Sequence, residues 1–301
     1  MKWEDYRRSD NVEDRRGQGG PGGGMGFPIP MGRGGGGLGI GGLIILGLLA
    51  WFFGIDPRIV VGIDEVLNNP QIQQRGPVQP SGKQGAPSDE LGKFVAATLA
   101  QTEDVWRQVF SEAGRRYEEP RLVLFSGVTR SACGTAQSAM GPFYCPLDKR
   151  VYLDTSFFRD LRDRFRAPGD FAAAYVISHE VGHHVQNLLG ILPRVQQQRQ
   201  ALSPAQSNAL SVRTELQADC FAGVWAHHAD NKLKTLEPGD IEKALAAAAA
   251  IGDDRMQRQT QGTVVPESFT HGSSQQRMTW FMNGVKSGSM QRCNTFAEGA
   301  L

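Results

Sequence analysis

The chain has 301 residues, 40% of them hydrophobic, with 32 basic and 31 acidic side chains and a formal charge of +1. That length fits one large domain or two smaller ones. Near-neutrality argues against a nucleic-acid binder that works by neutralising phosphates.

The first predicted region, residues 1–37, is polar and glycine-rich; GQGGPGGGMGFPIPMGRGGGG begins at Gly17. Such a stretch has too little apolar surface to offset its chain entropy, so a disordered tail is expected. Leu38 to Ile55, LGIGGLIILGLLAWFFGI, then carries no charge. At helical rise it spans roughly 27 Å, close to a bilayer's hydrocarbon thickness. It lacks the polar face of a core helix and the small-residue cleavage site of a signal peptide. A retained transmembrane helix is therefore expected. Lys2, Arg7, Arg8, Arg15, Arg16 and Arg33 precede it, and only Arg58 and Arg75 follow within twenty residues. The positive-inside rule then places the N-terminus in the cytoplasm and the larger part of the chain outside.

Residues 56–87 include NNPQIQQRGPVQPSGKQGAP, which reads as a flexible linker. Residues 88–301 make one domain of ordinary size. In it Ser88 is expected to cap a helix through LGKFVAATLAQTEDVWRQVFSEAG, and RLVLFSG reads as a strand. FYCPLDKRVYLD reads as two strand pieces broken at Pro146, and TSFFRDLRDRF as a short amphipathic helix. Asp170 is expected to cap FAAAYVISHEVGHHVQNLL, which Gly190 ends. Further helices open at Ser203-Pro204, at Asp240 and at Ser273 or Ser274. The fold class is α+β, a small sheet followed by a mainly helical half. All four cysteines, Cys133, Cys145, Cys220 and Cys293, follow the apolar span. Their even number suggests two disulfides, Cys133 with Cys145 and Cys220 with Cys293; free thiols or zinc ligands are the alternatives.

His179-Glu180-Val181-Gly182-His183 is the pattern H-E-x-x-H. On a helix the two histidines lie one turn apart on one face and can share an ion, with Glu180 beside them to reach a bound water. Glu215, on another predicted helix, can complete a His2Glu set that leaves a catalytic position open. Asp219, four residues on, can accept the outer N–H of a ligand histidine. His184 points about 100° away around the helix. It and the pair His227 and His228 are read as ordinary, and Tyr144 and Tyr152 as packing residues.

His179-Glu180-x-x-His183 with Glu215-x-x-Ala218-Asp219 resembles the gluzincin metallopeptidases. Together with RSDNVEDRRG, the glycine-rich stretch, GPFYCPLDKRVYLD, ELQADCFAGVW and SFTHGSSQQR, it resembles the bacterial neutral zinc metallopeptidase family over nearly the whole chain. The resemblance implies a zincin-like fold with one zinc ion and a protein or peptide substrate. With the apolar span and its charge asymmetry, it implies a bacterial inner membrane protein whose catalytic domain is periplasmic or extracellular. His271 or Arg277 is a candidate for stabilising the oxyanion, as a downstream His or Arg does in related gluzincins. Glu180 would be the general base, and FYCPLDKRVYLD the sheet edge that pairs with the substrate. The alternative is a weakly active or inactive zinc-binding domain that holds a partner at the membrane.

Overall fold

The computed structural model describes residues 1–18, 82–137 and 140–300. The expected span Leu38–Ile55 lies outside these, as do the rest of the glycine-rich stretch and most of the linker. Among the described residues no helix is long and apolar enough to cross a membrane.

The main sheet is mixed, with strands β1 (Val12–Asp14), β2 (Lys83–Gln84), β3 (Arg121–Phe125), β6 (Phe143–Cys145) and β7 (Arg150–Asp154) in the order β2-β1-β3-β7-β6. β1, β3 and β7 run parallel, while β2 and β6 are antiparallel edges. β3 and β7 are apolar runs because both faces are covered. Leu122, Leu124, Val151 and Leu153 enter the main core. The alternate residues Val123, Phe125 and Tyr152 enter a smaller one with Ala136 of the hairpin β4 (Val128–Ser131) and β5 (Gly134–Gln137). The disulfide Cys133–Cys145 ties that hairpin to edge strand β6.

Among the described residues, α1 (Glu90–Glu112) lies between β2 and β3, and α2 (Ser156–Asp163), α3 (Asp170–Leu188), α4 (Ile191–Arg199), α5 (Pro204–Leu233), α6 (Asp240–Ala250), α7 (Asp253–Gln261) and α8 (Ser274–Ser287) follow the last strand. Asp89 caps α1, its carboxylate accepting from the Gly92 amide, so the expected cap at Ser88 is one residue early. Ser203 and Ser273 open α5 and α8 with capping boxes, Gln206 and Gln276 answering at the third position. Asp170 is the first residue inside α3, where its charge still suits the helix N-terminus.

α3 is buried almost all round, from Phe171 to Gln186. Two close approaches set its surroundings. A Cβ on Gly182 would lie 3.0 Å from the Ala218 carbonyl oxygen, so α3 and α5 touch backbone to backbone there. A Cβ on Gly223 would lie 2.1 Å from the Phe281 oxygen, and one on Gly284 2.0 Å from the Cys220 oxygen. α5 and α8 therefore cross at a distance that only glycine permits. The disulfide Cys220–Cys293 lies at the same crossing.

The N-terminus departs from expectation. Residues 1–18 are part of the domain, which corrects the disordered tail assigned from residue 1. The Met1 ammonium is buried against Glu237 and Asp240, 2.9 Å from each carboxylate. Trp3 donates to Asp170 Oδ2 at 2.9 Å and meets Phe94 edge-on. In RSDNVEDRRG, Ser9 and Asn11 donate to the buried Glu103 carboxylate. Val12 is fully buried in β1, and Glu13 pairs with Arg15 and Arg150. Composition over residues 1–37 averaged this segment with the glycine run that follows it.

Candidate metal centre

α3 and α5 bring together the two halves of the motif. One nitrogen each from His179 and His183 and a carboxylate oxygen of Glu215 lie within 4.8 Å of one another. His179 Nε2 is 3.1 Å from Glu215 Oε2, and His183 Nε2 is 3.5 Å from Glu215 Oε1. The outer nitrogens are both held. His179 Nδ1 is 2.8 Å from Asp219 Oδ1, and His183 Nδ1 is 2.9 Å from Gln186 Oε1. Because those partners accept, each Nδ1 can keep a proton, which leaves each Nε2 as the atom that would turn its lone pair to an ion. Two imidazole lone pairs and a carboxylate make the N2O donor set that suits zinc. The residues present fit the ion.

Asp219 is the centre of a buried network. Its Oδ1 also accepts from the Tyr175 hydroxyl at 2.6 Å and from Arg277 Nη2 at 2.9 Å, and its Oδ2 accepts from Arg277 Nε at 2.8 Å. Burial opposes the Asp219 charge, but Arg277 and His179 outweigh it and hold its carboxyl at about 2. Arg277 is 2% exposed, and its third nitrogen faces the Ile251 carbonyl. The guanidinium thus stands behind His179, which corrects its assignment to the oxyanion of a substrate.

His271 takes a different position. Its Nδ1 is 3.2 Å from Asp253 Oδ1, while the amides of Thr270, His271 and Gly272 all donate to Asp253 Oδ2. The ring is about one-third exposed and lies within electrostatic range of Glu215. Against the opposing effect of burial, Asp253 and Glu215 raise its pKa and favour the cation. Glu180 is buried on α3 next to His179, and that burial raises its carboxyl pKa.

The remaining histidines are structural. His184 lies between the Tyr144 hydroxyl (3.0 Å) and the Glu118 carbonyl (2.6 Å), on the sheet side of α3. His227 and His228 bond the Val285 and Gly288 carbonyls at the end of α8. Tyr152 donates to Asp148 at 2.7 Å and packs on Phe143. Sequence reasoning passed over Tyr175, Gln186 and Asp253. Tyr175 and Gln186 had a signal, being four residues before His179 and three after His183 on one helix face. Asp253 acts across 18 residues of chain and had none.

The family described as "putative neutral zinc metallopeptidase" matches residues 1–296. The chain belongs to this zinc metallopeptidase family. It is 51% identical to the uncharacterized protein YpfJ of Escherichia coli over 302 aligned residues, 99% of each chain. It is 42% identical to an uncharacterized protein of Mycobacterium bovis over 264 residues, covering 84% of this chain and 86% of that one. No solved structure matches. The metallopeptidase match begins at residue 1, as the folded domain does.

Proposed function

We propose that the chain is a zinc-dependent endopeptidase with a zincin-like site, in which His179, His183 and Glu215 hold one ion and Glu180 is the general base. The observation that carries this is the convergence of a ring nitrogen each from His179 and His183 and a Glu215 carboxylate oxygen within 4.8 Å, beside a buried glutamate. Zinc bound there supplies a Lewis acid and brings the pKa of water into the neutral range. Glu180, its basicity raised by burial, accepts the proton of the attacking water and returns it to the leaving amine. Asp219, locked by Arg277 and Tyr175, fixes the ring of His179. His271, oriented by Asp253, offers positive charge where the carbonyl oxygen becomes negative, a contribution of a few kcal/mol in comparable sites.

β6 supplies a place for the substrate backbone. It is an edge strand, and Tyr144 on it reaches α3 at His184, next to the ligand His183. On the full chain, chelation should abolish cleavage of an unfolded protein and stoichiometric zinc should restore it. Cleavage that persists after complete metal removal contradicts the proposal.

We further propose that the protein works at a bacterial membrane from its periplasmic or extracellular face, with both chain ends on that side. Two disulfides support an oxidising compartment. The apolar run Leu38–Ile55 supports membrane association. Its flanking segments meet in the sheet, where Asp14 pairs with Lys83 and the Gly82 amide donates to Glu13 Oε1. A single crossing between residues 18 and 82 would pull β1 out of a sheet that it helps to build.

A further inference from the structure

We propose that the domain docks on anionic lipid headgroups through an arginine face on α2, at the end of the sheet where β1, β3 and β7 finish. This rests on the membrane association proposed above. The three strands are parallel and end together, with Asp14 beside Leu124 and Phe125 beside Asp154. β2 is antiparallel to β1 and starts at the same end, Lys83 opposite Asp14. The chain therefore leaves the described fold after residue 18 and re-enters it at residue 82 from one end of the sheet. The apolar run Leu38–Ile55 lies between those two points of the chain.

α2 begins at that same end. β7 passes into it through Thr155, whose amide donates to the Phe125 carbonyl at 2.9 Å. Phe157 and Leu161 are buried beneath the helix, whereas Arg159, Arg162, Arg164 and Arg166 are exposed. From Ser156 to Arg166 these arginines face only two carboxylates, Asp160 and Asp163. Arg162 pairs with Asp163 at 2.7 Å; Arg159, Arg164 and Arg166 make no salt bridge among the described residues. Arg164 lies 5.3 Å over the half-buried Phe165 ring. α1 joins this face to the point where the chain departs. Arg16 pairs with Asp89 at the start of α1, and Phe158 of α2 meets Phe94 edge-on at 6.2 Å. The departing chain and the arginine face thus flank the first turns of one helix.

Lipid phosphates suit this face because a guanidinium stays charged and binds phosphate through two parallel hydrogen bonds. A bilayer surface also attracts basic side chains within a Debye length. An acidic protein would meet the charge equally well, but the apolar run gives the chain itself a reason to bring lipid to this end of the sheet. Docking there has a consequence for the metal centre. α3 starts at this end, at Asp170, and runs to the other, where Asn187 Nδ2 donates to the Tyr144 hydroxyl at 2.9 Å and His184 meets the Glu118 carbonyl. His179 lies about 14 Å along that helix from Asp170. The docked domain holds its metal centre within reach of a polypeptide at the lipid surface.

The test is energy transfer from the full, oxidised chain to a headgroup-labelled lipid, after reconstitution into vesicles of phosphatidylcholine with or without phosphatidylglycerol. A donor dye is placed on Ser88→Cys or on Ser111→Cys, exposed positions at the two ends of α1, roughly 34 Å apart at helical rise. Transfer from Ser88→Cys should be strong with phosphatidylglycerol and fall without it or in high salt, and transfer from Ser111→Cys should stay weak throughout. Arg159→Gln/Arg164→Gln/Arg166→Gln should weaken the contact about 100-fold, at about fivefold per arginine beside an anionic surface, and leave zinc affinity unchanged. Strong transfer from Ser111→Cys, whose end carries Arg115 and Arg116, would overturn the proposal. So would transfer from Ser88→Cys that is indifferent to lipid charge and to the arginine substitutions. If the wild-type chain floats with neither vesicle, the membrane reading itself has failed.

Discussion

Asp219 on α5 and His184 on α3 show how surroundings sort buried polar residues into different work. Asp219 faces the metal side and is charged, with three donors on one oxygen. His184 faces the sheet and is neutral, its pKa pushed down to about 4 by burial. A histidine whose folded pKa lies below its unfolded value takes up a proton more readily when unfolded. Stability from this residue is therefore complete above pH 6.5 and declines as pH falls toward 4, by about 3 kcal/mol in all. His184→Gln removes that proton site. In metal-free urea titrations the wild type should lose more stability than His184→Gln between pH 7 and pH 4.5; equal losses contradict a neutral buried ring. At this scale His179, Glu180 and His183 were legible in the sequence, because helical spacing alone puts them on one side of a turn. Arg277 was not, since only the folded chain shows that its charge is spent on Asp219.

Between elements, the geometry of the metal centre depends on how closely α3 and α5 approach. Gly182 lies between His179 and His183 in sequence and touches Ala218, which lies between Glu215 and Asp219. The small residues of the two motifs are thus the contact that lets their polar residues meet. In Gly182→Ala the new Cβ would lie 3.0 Å from the Ala218 carbonyl oxygen, so the helices must part by a few tenths of an ångström. The expected result is an approximately tenfold weaker zinc affinity with a stability loss of about 1–3 kcal/mol. Unchanged zinc affinity would show that helix separation does not limit the site. The long helices were readable from apolar periodicity and their cap residues. β1, α7 and the β4–β5 hairpin were not, because short elements gain their stability from tertiary contacts rather than from local pattern.

Over the whole molecule, the N-terminal residues are the reason the proposed topology differs from the one that charge asymmetry suggests. Lys2, Arg7, Arg8, Arg15 and Arg16 read as a cytoplasmic flank, yet most are occupied inside the fold. Arg7 meets Glu103 and Asp104, Arg15 meets Glu13, and Arg16 meets Asp14 and Asp89. The positive-inside rule counts charges and cannot see that these have partners in a domain on the far side of the apolar run. Single cysteines at the exposed positions Asp10 and Lys286 should both react with a membrane-impermeant maleimide on intact spheroplasts. Labelling at Lys286 with protection at Asp10 would restore the single crossing and contradict the position of β1 in the sheet.

Replacing Glu180 by Gln tests the account most directly, because it removes the proton acceptor and leaves all three proposed ligands in place. The full-length variant should bind one zinc ion as tightly as the wild type, within about threefold, and cleave an unfolded protein substrate at least a hundredfold more slowly, the scale expected for loss of a general base. Zinc-loaded Glu180→Gln that cleaves at the wild-type rate would contradict it.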